Sequence, residues 1–172
     1  MLYAPGADPS TFGERRLRLA AVMPSFERHI IGAHPLARPS AHEALIYLMV
    51  VVSASDRDMT DVELAHIGDA VRGWPIFIDF DDERLVQAAR DCQKLLHEPG
   101  GLEKVFTTVA ASIPLHLHDT AYAVAVEVAV VDREVRIEER RVLDRLRGFL
   151  AIEDETALAI ALSAKARHKT LT

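Results

Sequence analysis

An acidic motif occurs twice in this chain, 76 positions apart, and its residue types are those that hold hard cations or cap helices. The first copy is Asp56-Arg57-Asp58-Met59-Thr60-Asp61-Val62-Glu63, the second Asp132-Arg133-Glu134-Val135-Arg136-Ile137-Glu138-Glu139. The shared pattern is an Asp, an Arg, an acid, an apolar residue, and a Glu seven positions after the Asp. Hard cations take oxygen ligands, and carboxylates grouped on a short turn supply them while ordering little chain. In copy one, Asp56, Asp58 and Asp61 lie on the turn and Glu63 projects from the first turn of the next helix. In copy two the corresponding acids are Asp132, Glu134 and Glu139, with Glu138 beside them. An EF-hand does not fit, because its loop needs a Gly at the sixth position and a bidentate Glu at the twelfth. Here the Glu stands at the eighth position and the motif contains no Gly.

Capping is the competing chemistry. Thr60-Asp61-Val62-Glu63 spells a capping box, in which the Thr oxygen and the Glu carboxylate each satisfy a free backbone N–H. Acids in a first helical turn also gain about 0.3–1 kcal/mol each from the helix dipole. In copy two the cap position is Arg136, whose side chain cannot accept those bonds. Both readings stay open on the residues alone.

Other constellations are weaker. Glu63-Leu64-Ala65-His66 has the Glu-x-x-His spacing that di-iron bundles use twice, but Glu139 is followed three later by Val142. His66 is instead expected to be a partly buried helix residue. His116 and His118 lie two apart, a spacing that does not share a helix face, so a solvated first turn is expected there. Cys92 falls on the apolar face of its helix, where a thiol is inert packing. Gly100-Gly101 lacks a phosphate-loop Lys and reads as a helix stop. From Asp132 to Arg147, six arginines alternate with five acids, the pattern of a salt-bridged solvated face. Trp74, Phe77 and Phe80 surround Pro75 and are expected to plug the core between helices.

The elements that must position these residues are all helical. Residues 1–39 comprise a tail, a short helix over Glu14 to Phe26, and a linker held extended by Pro35 and Pro39. Ser40-Ala41-His42-Glu43 is a second capping box, opening a helix to about Ser53. Further helices are predicted from Asp61 to Gly73, from Asp81 or Asp82 to Pro99, and from Leu102 to Ser112. Another runs from Pro114, placed in its first turn, to Val131, and the last two cover Ile137 to Leu150 and Asp154 to Arg167. Val124, Val126, Val128 and Val130 alternate with their neighbours at the period of a strand. The run is half Ala and lacks hairpin turn residues, so a helix is expected, apolar nearly all round. Residues 40–167 thus form one helical domain, with 168–172 as a tail.

The 172 residues are 49% hydrophobic, enough for a sizeable core, and the net charge of −6 argues against a general nucleic-acid or anionic-membrane binder. The lone Cys92 forms no internal disulfide and suits a reducing compartment. No secretion signal opens the chain, and no apolar run reaches the roughly 20 residues a bilayer span requires. A cytoplasmic protein without membrane insertion is the expectation.

An apolar helix, an Asp-centred turn and a Glu seven residues on, duplicated within an all-α chain, resembles the TerB-like family associated with tellurite resistance. The likeness covers Ser40 to about Phe149. It is clearest at Val52-Ser53-Ala54-Ser55-Asp56 through Glu63, and at Glu127-Val128-Ala129-Val130-Val131-Asp132 through Glu139. The resemblance implies an all-helical stress-response protein, non-enzymatic, with an acidic surface for divalent cations. Carried over residue by residue, it points to Asp56, Glu63, Asp132 and Glu139 as metal ligands, with Asp58 and Glu134 as additional acids. The family usually has Gly directly after the Asp, where this chain has Arg57 and Arg133. A left-handed backbone at that position would cost a non-glycine residue roughly 1–2 kcal/mol, so the turn is expected to be shaped differently.

These observations converge on an all-α bundle of seven or eight helices with an internally duplicated helix–turn–helix unit. The expected function is binding of a calcium-like divalent cation. The alternative is a helical protein-interaction module whose acids only cap helices. A protein partner or a homo-oligomer is the expected kind of association, and nucleic acid is not.

Overall fold

A computed structural model describes residues 38–53, 59–130 and 137–171, which fall within one compact unit, Ala37–Thr172. Among the described residues there are seven α-helices, two short 3-10 turns and no strand. The helix expected over Glu14 to Phe26 lies outside them, as do Asp56, Asp58, Asp132 and Glu134.

Helix α1 (Ala41–Ser53) starts where the sequence asks it to. The Glu43 N–H donates to Ser40 Oγ at 3.2 Å, and the Ser40 N–H donates to Glu43 Oε2 at 2.8 Å. Every residue from Ala44 to Val52 is then buried, so α1 has no solvent face in its middle turns. Helix α5 (His118–Val130) is similar, burying Ala121, Tyr122, Val124, Ala125, Val126, Ala129 and Val130. Its alternating valines are therefore helical, because a helix covered on most sides needs no one-sided stripe.

These two apolar helices pack against each other as the centre of the unit. Helices α3 (Glu83–His97) and α4 (Gly101–Ser112) pack on α1 and on one another. Helices α6 (Ile137–Leu150) and α7 (Asp154–Arg167) pack on α5, while α2 (Asp61–Gly73) contacts both central helices. Phe77, on the 3-10 turn Pro75–Phe77, is buried, and Trp74 and Phe80 are half-buried against the core, as the sequence suggested. His42 joins them, with ring centroids 5.7 Å from both Phe77 and Phe80.

Local chemistry sets the remaining boundaries. Of the two candidate caps for α3, Asp81 acts: its Oδ1 accepts the Glu83 N–H at 3.0 Å, while Asp82 makes no side-chain cap bond. The stop after α3 passes directly into α4, which begins at Gly101 rather than Leu102. Gly100 has φ +70°, and a Cβ on Gly101 would stand 2.4 Å from the carbonyl oxygens of Leu95 and Leu96. Only glycine permits that close crossing of backbone. Pro114 does not enter the first turn of α5. Extended at φ −56° and ψ 142°, it precedes a separate 3-10 turn, Leu115–Leu117, and α5 begins after it at His118.

His118 corrects a second expectation. It is not solvated but only 8% exposed. Its Nδ1 lies 3.1 Å from the Leu150 carbonyl oxygen and its Nε2 3.3 Å from that of Ile113. Those carbonyls close α6 and follow α4, and the ends of helices leave such acceptors without intrahelical partners. The imidazole thus sits between two helix ends at the start of a third.

Candidate functional site

Glu63 is the third residue of α2 and sits in a complete capping box. Its N–H donates to Thr60 Oγ1 at 3.2 Å, and its Oε2 accepts the Thr60 N–H at 2.7 Å. The same Oε2 accepts the Thr60 hydroxyl at 2.9 Å. All of this engages one carboxylate oxygen, and among the described residues Oε1 has no hydrogen-bond or ion-pair partner. Glu43 shows what a second oxygen can do in the same setting: its Oε2 caps α1 while its Oε1 takes the Arg84 guanidinium at 2.6 Å.

Glu139 is likewise the third residue of its helix, α6. It differs in burial, being 7% exposed while Ile137 and Glu138 beside it are open to solvent. Among the described residues, no buried side-chain oxygen or nitrogen lacks a hydrogen-bond partner. Glu63 and Glu139 therefore hold the same helical position, each at the head of a helix that packs on the central pair. The two helices make no extensive contact with each other.

Among the described residues, no three His, Cys, Asp or Glu side chains stand together to hold a metal. The described portion of the motif leaves one carboxylate oxygen, on Glu63, without a partner among the described residues, and an oxygen of that kind is a hard donor, matched to calcium or magnesium rather than softer ions. Glu63 engages one carboxylate oxygen in capping its helix, and no second Glu-x-x-His pair accompanies Glu63 and His66 in the sequence. His66 is exposed, not partly buried. Cys92 is fully buried, its thiol 3.6 Å from the Tyr47 carbonyl oxygen, and burial pushes that thiol up. Two of the four arginines of α6 reach other elements: Arg145 pairs with Glu103, and Arg147 with Asp154.

One constellation was not anticipated from the sequence. Glu127 is the only charged side chain in the run Ala121–Val130, and it lines a cleft of about 530 Å³ between α2, α5 and the end of α7. His168 Nε2 lies 2.8 Å from its Oε1, and the Arg167 guanidinium bonds the carboxylate through Nη2. Arg167 Nη1 also donates to Ser163 Oγ at 2.8 Å. Burial pushes the Glu127 carboxyl up, but the bonds from Arg167 and His168 outweigh it and hold the carboxyl below the usual carboxylate range. His66, Asp69 and Trp74 form the facing wall. A lone acid in an otherwise apolar helix was the available signal, because such a charge needs a partner from outside its own helix. The cleft falls in the size range of ligand pockets, but its carboxylate is already consumed in fastening α7 to α5.

No protein-family model, curated protein or solved structure matches this chain.

Proposed function

We propose that this chain is a non-enzymatic, TerB-like helical protein that binds a divalent cation at its duplicated acidic turns. In this reading Asp56 and Asp132 supply the turn oxygens, Glu63 and Glu139 the helix-borne ones, and Asp58 and Glu134 add charge. The observation that carries it is the division of labour within Glu63: one oxygen caps α2, and the other is left without a partner among the described residues. The equal placement of Glu139 in α6 supports reading the pairs α1–α2 and α5–α6 as two copies of one unit. A calcium-like ion suits carboxylate oxygens on short turns, and the bound charge would offset the crowding of acids there. The setting, a cytoplasmic response to tellurite or related stress, follows from the resemblance alone.

A second reading has its own observation. The Thr60–Glu63 box forms in full, as expected if the acids only cap helices and the domain serves as an interaction module. Calorimetric titration of calcium into chelator-stripped protein separates the two. The cation reading expects saturable heat that Asp56→Ala and Asp132→Ala diminish. Absence of binding with calcium, magnesium or manganese would leave capping as the role of these acids.

A further inference from the structure

The outermost helix of the unit carries a pattern that fits a second copy of itself. Helix α7 packs on α5 through Ala157 and Ala164, with Ile160 and Ala161 half-buried beside them. Its opposite side is exposed yet apolar: Leu158 is 61% exposed and Leu162 59%, with Ala159 and Ala166 also in solvent. Glu155 and Lys165 flank the leucines on that same side, both exposed. Neither has an ion-pair partner among the described residues, whereas their neighbours Asp154 and Arg167 are engaged with Arg147 and Glu127.

The spacing Glu155, Leu158, Leu162, Lys165 runs three, four, three, which is the seam of a two-helix coiled pairing. It is also self-complementary when reversed. If a second α7 lies antiparallel and centred on Ile160, Leu158 of one copy meets Leu162 of the other. Glu155 then meets Lys165 at each end of the seam. The helix dipoles oppose favourably in that arrangement, and the acidic first turn, Asp154 and Glu155, faces the basic last turn, Lys165 and Arg167. A parallel pairing would instead set Glu155 against Glu155 and Lys165 against Lys165. Two-fold symmetry makes the antiparallel contact closed and isologous.

We infer that α7 is a homodimerisation surface, pairing antiparallel through Leu158 and Leu162 with Glu155–Lys165 ion pairs at both ends. One four-turn helix face is a small interface, so the dimer is a weak one that forms at high protein concentration. It does not involve the acidic turns, so chelator leaves it unchanged whether or not those turns hold a cation.

Sedimentation velocity of the full chain, from low micromolar to roughly millimolar concentration, is the test. The expected result is a monomer–dimer equilibrium that Leu158→Asp weakens by at least about tenfold. Glu155→Lys should weaken it as well, by placing like charges at both ends. The double substitution Glu155→Lys with Lys165→Glu should restore it, because the exchanged pair is again self-complementary. All these side chains are exposed, and circular dichroism confirms that each variant is folded before it is compared. A monomer at every concentration would overturn the inference and leave this face to a partner of different sequence. A dimer indifferent to Leu158→Asp, or one that the double substitution fails to restore, would overturn it equally.

Discussion

Glu63 and Glu127 show how one side-chain type takes two roles in this chain according to what surrounds it. Glu63 stands at a helix start and satisfies backbone donors, so its contribution is local. Thr60→Ala removes the hydroxyl half of that box and should cost about 1 kcal/mol in urea unfolding. Adding Glu63→Ala should cost less than the sum of the two single changes, because the partners act as one unit. Glu127 works across 40 residues to Arg167. Its carboxyl titrates below the ordinary range in the folded state, so it binds protons less readily there than in the unfolded chain. Its stabilising share is therefore present at neutral pH, above the unfolded value, and is lost as pH falls through the lowered folded value. Glu127→Gln should lower stability at neutral pH, by removing the negative charge and one of the two acceptor oxygens that Arg167 and His168 use, and flatten the acid limb of a stability–pH curve. The Glu127 cluster was hard to read from sequence because nothing local predicts which helix end returns to meet a half-buried acid. His118 was misread for the same reason: its acceptors belong to the ends of two other helices.

At the scale of elements, the start signals were the most legible part of the sequence. Both capping boxes formed as spelled, because their bonds lie within four consecutive residues and depend on nothing distant. The helical reading of the alternating valines held because Ala content and the missing turn residues outweighed a period of two. Junctions were less legible. The Pro99-Gly100-Gly101 stop was evident, but that Gly101 opens α4 depends on how closely its backbone crosses the end of α3. That crossing makes a prediction. Gly100→Ala meets only the left-handed backbone penalty, about 1–2 kcal/mol. Gly101→Ala must displace two backbone carbonyls and should destabilise by more, as read from denaturant midpoints at unchanged slope.

At the scale of the described unit, the core is built on the contact between α1 and α5, helices too apolar to stand alone in water. Leu48 is completely buried in α1, and Leu48→Ala should cost about 2–5 kcal/mol in equilibrium unfolding. Leu162→Ala, on the exposed face of α7, should cost well under 1 kcal/mol at dilute concentration. The all-α class and the central placement of α5 followed from composition and patterning, since a helix without a polar face must be covered. The cation proposal rests on spacing in the sequence, and of its acids Glu63 and Glu139 are each the third residue of a helix that follows one of the central pair.

The most direct measurement of that claim is thermal unfolding of chelator-stripped protein against calcium, magnesium, manganese and zinc. An ion at 100 times its dissociation constant adds about 2.7 kcal/mol, a rise of several degrees in midpoint for a domain of this size. A saturable rise with a hard cation, abolished by Asp56→Ala or Asp132→Ala, is the expected result. An unchanged midpoint with every ion, alongside destabilisation by Glu63→Ala, would contradict it and assign the acidic turns to helix capping alone.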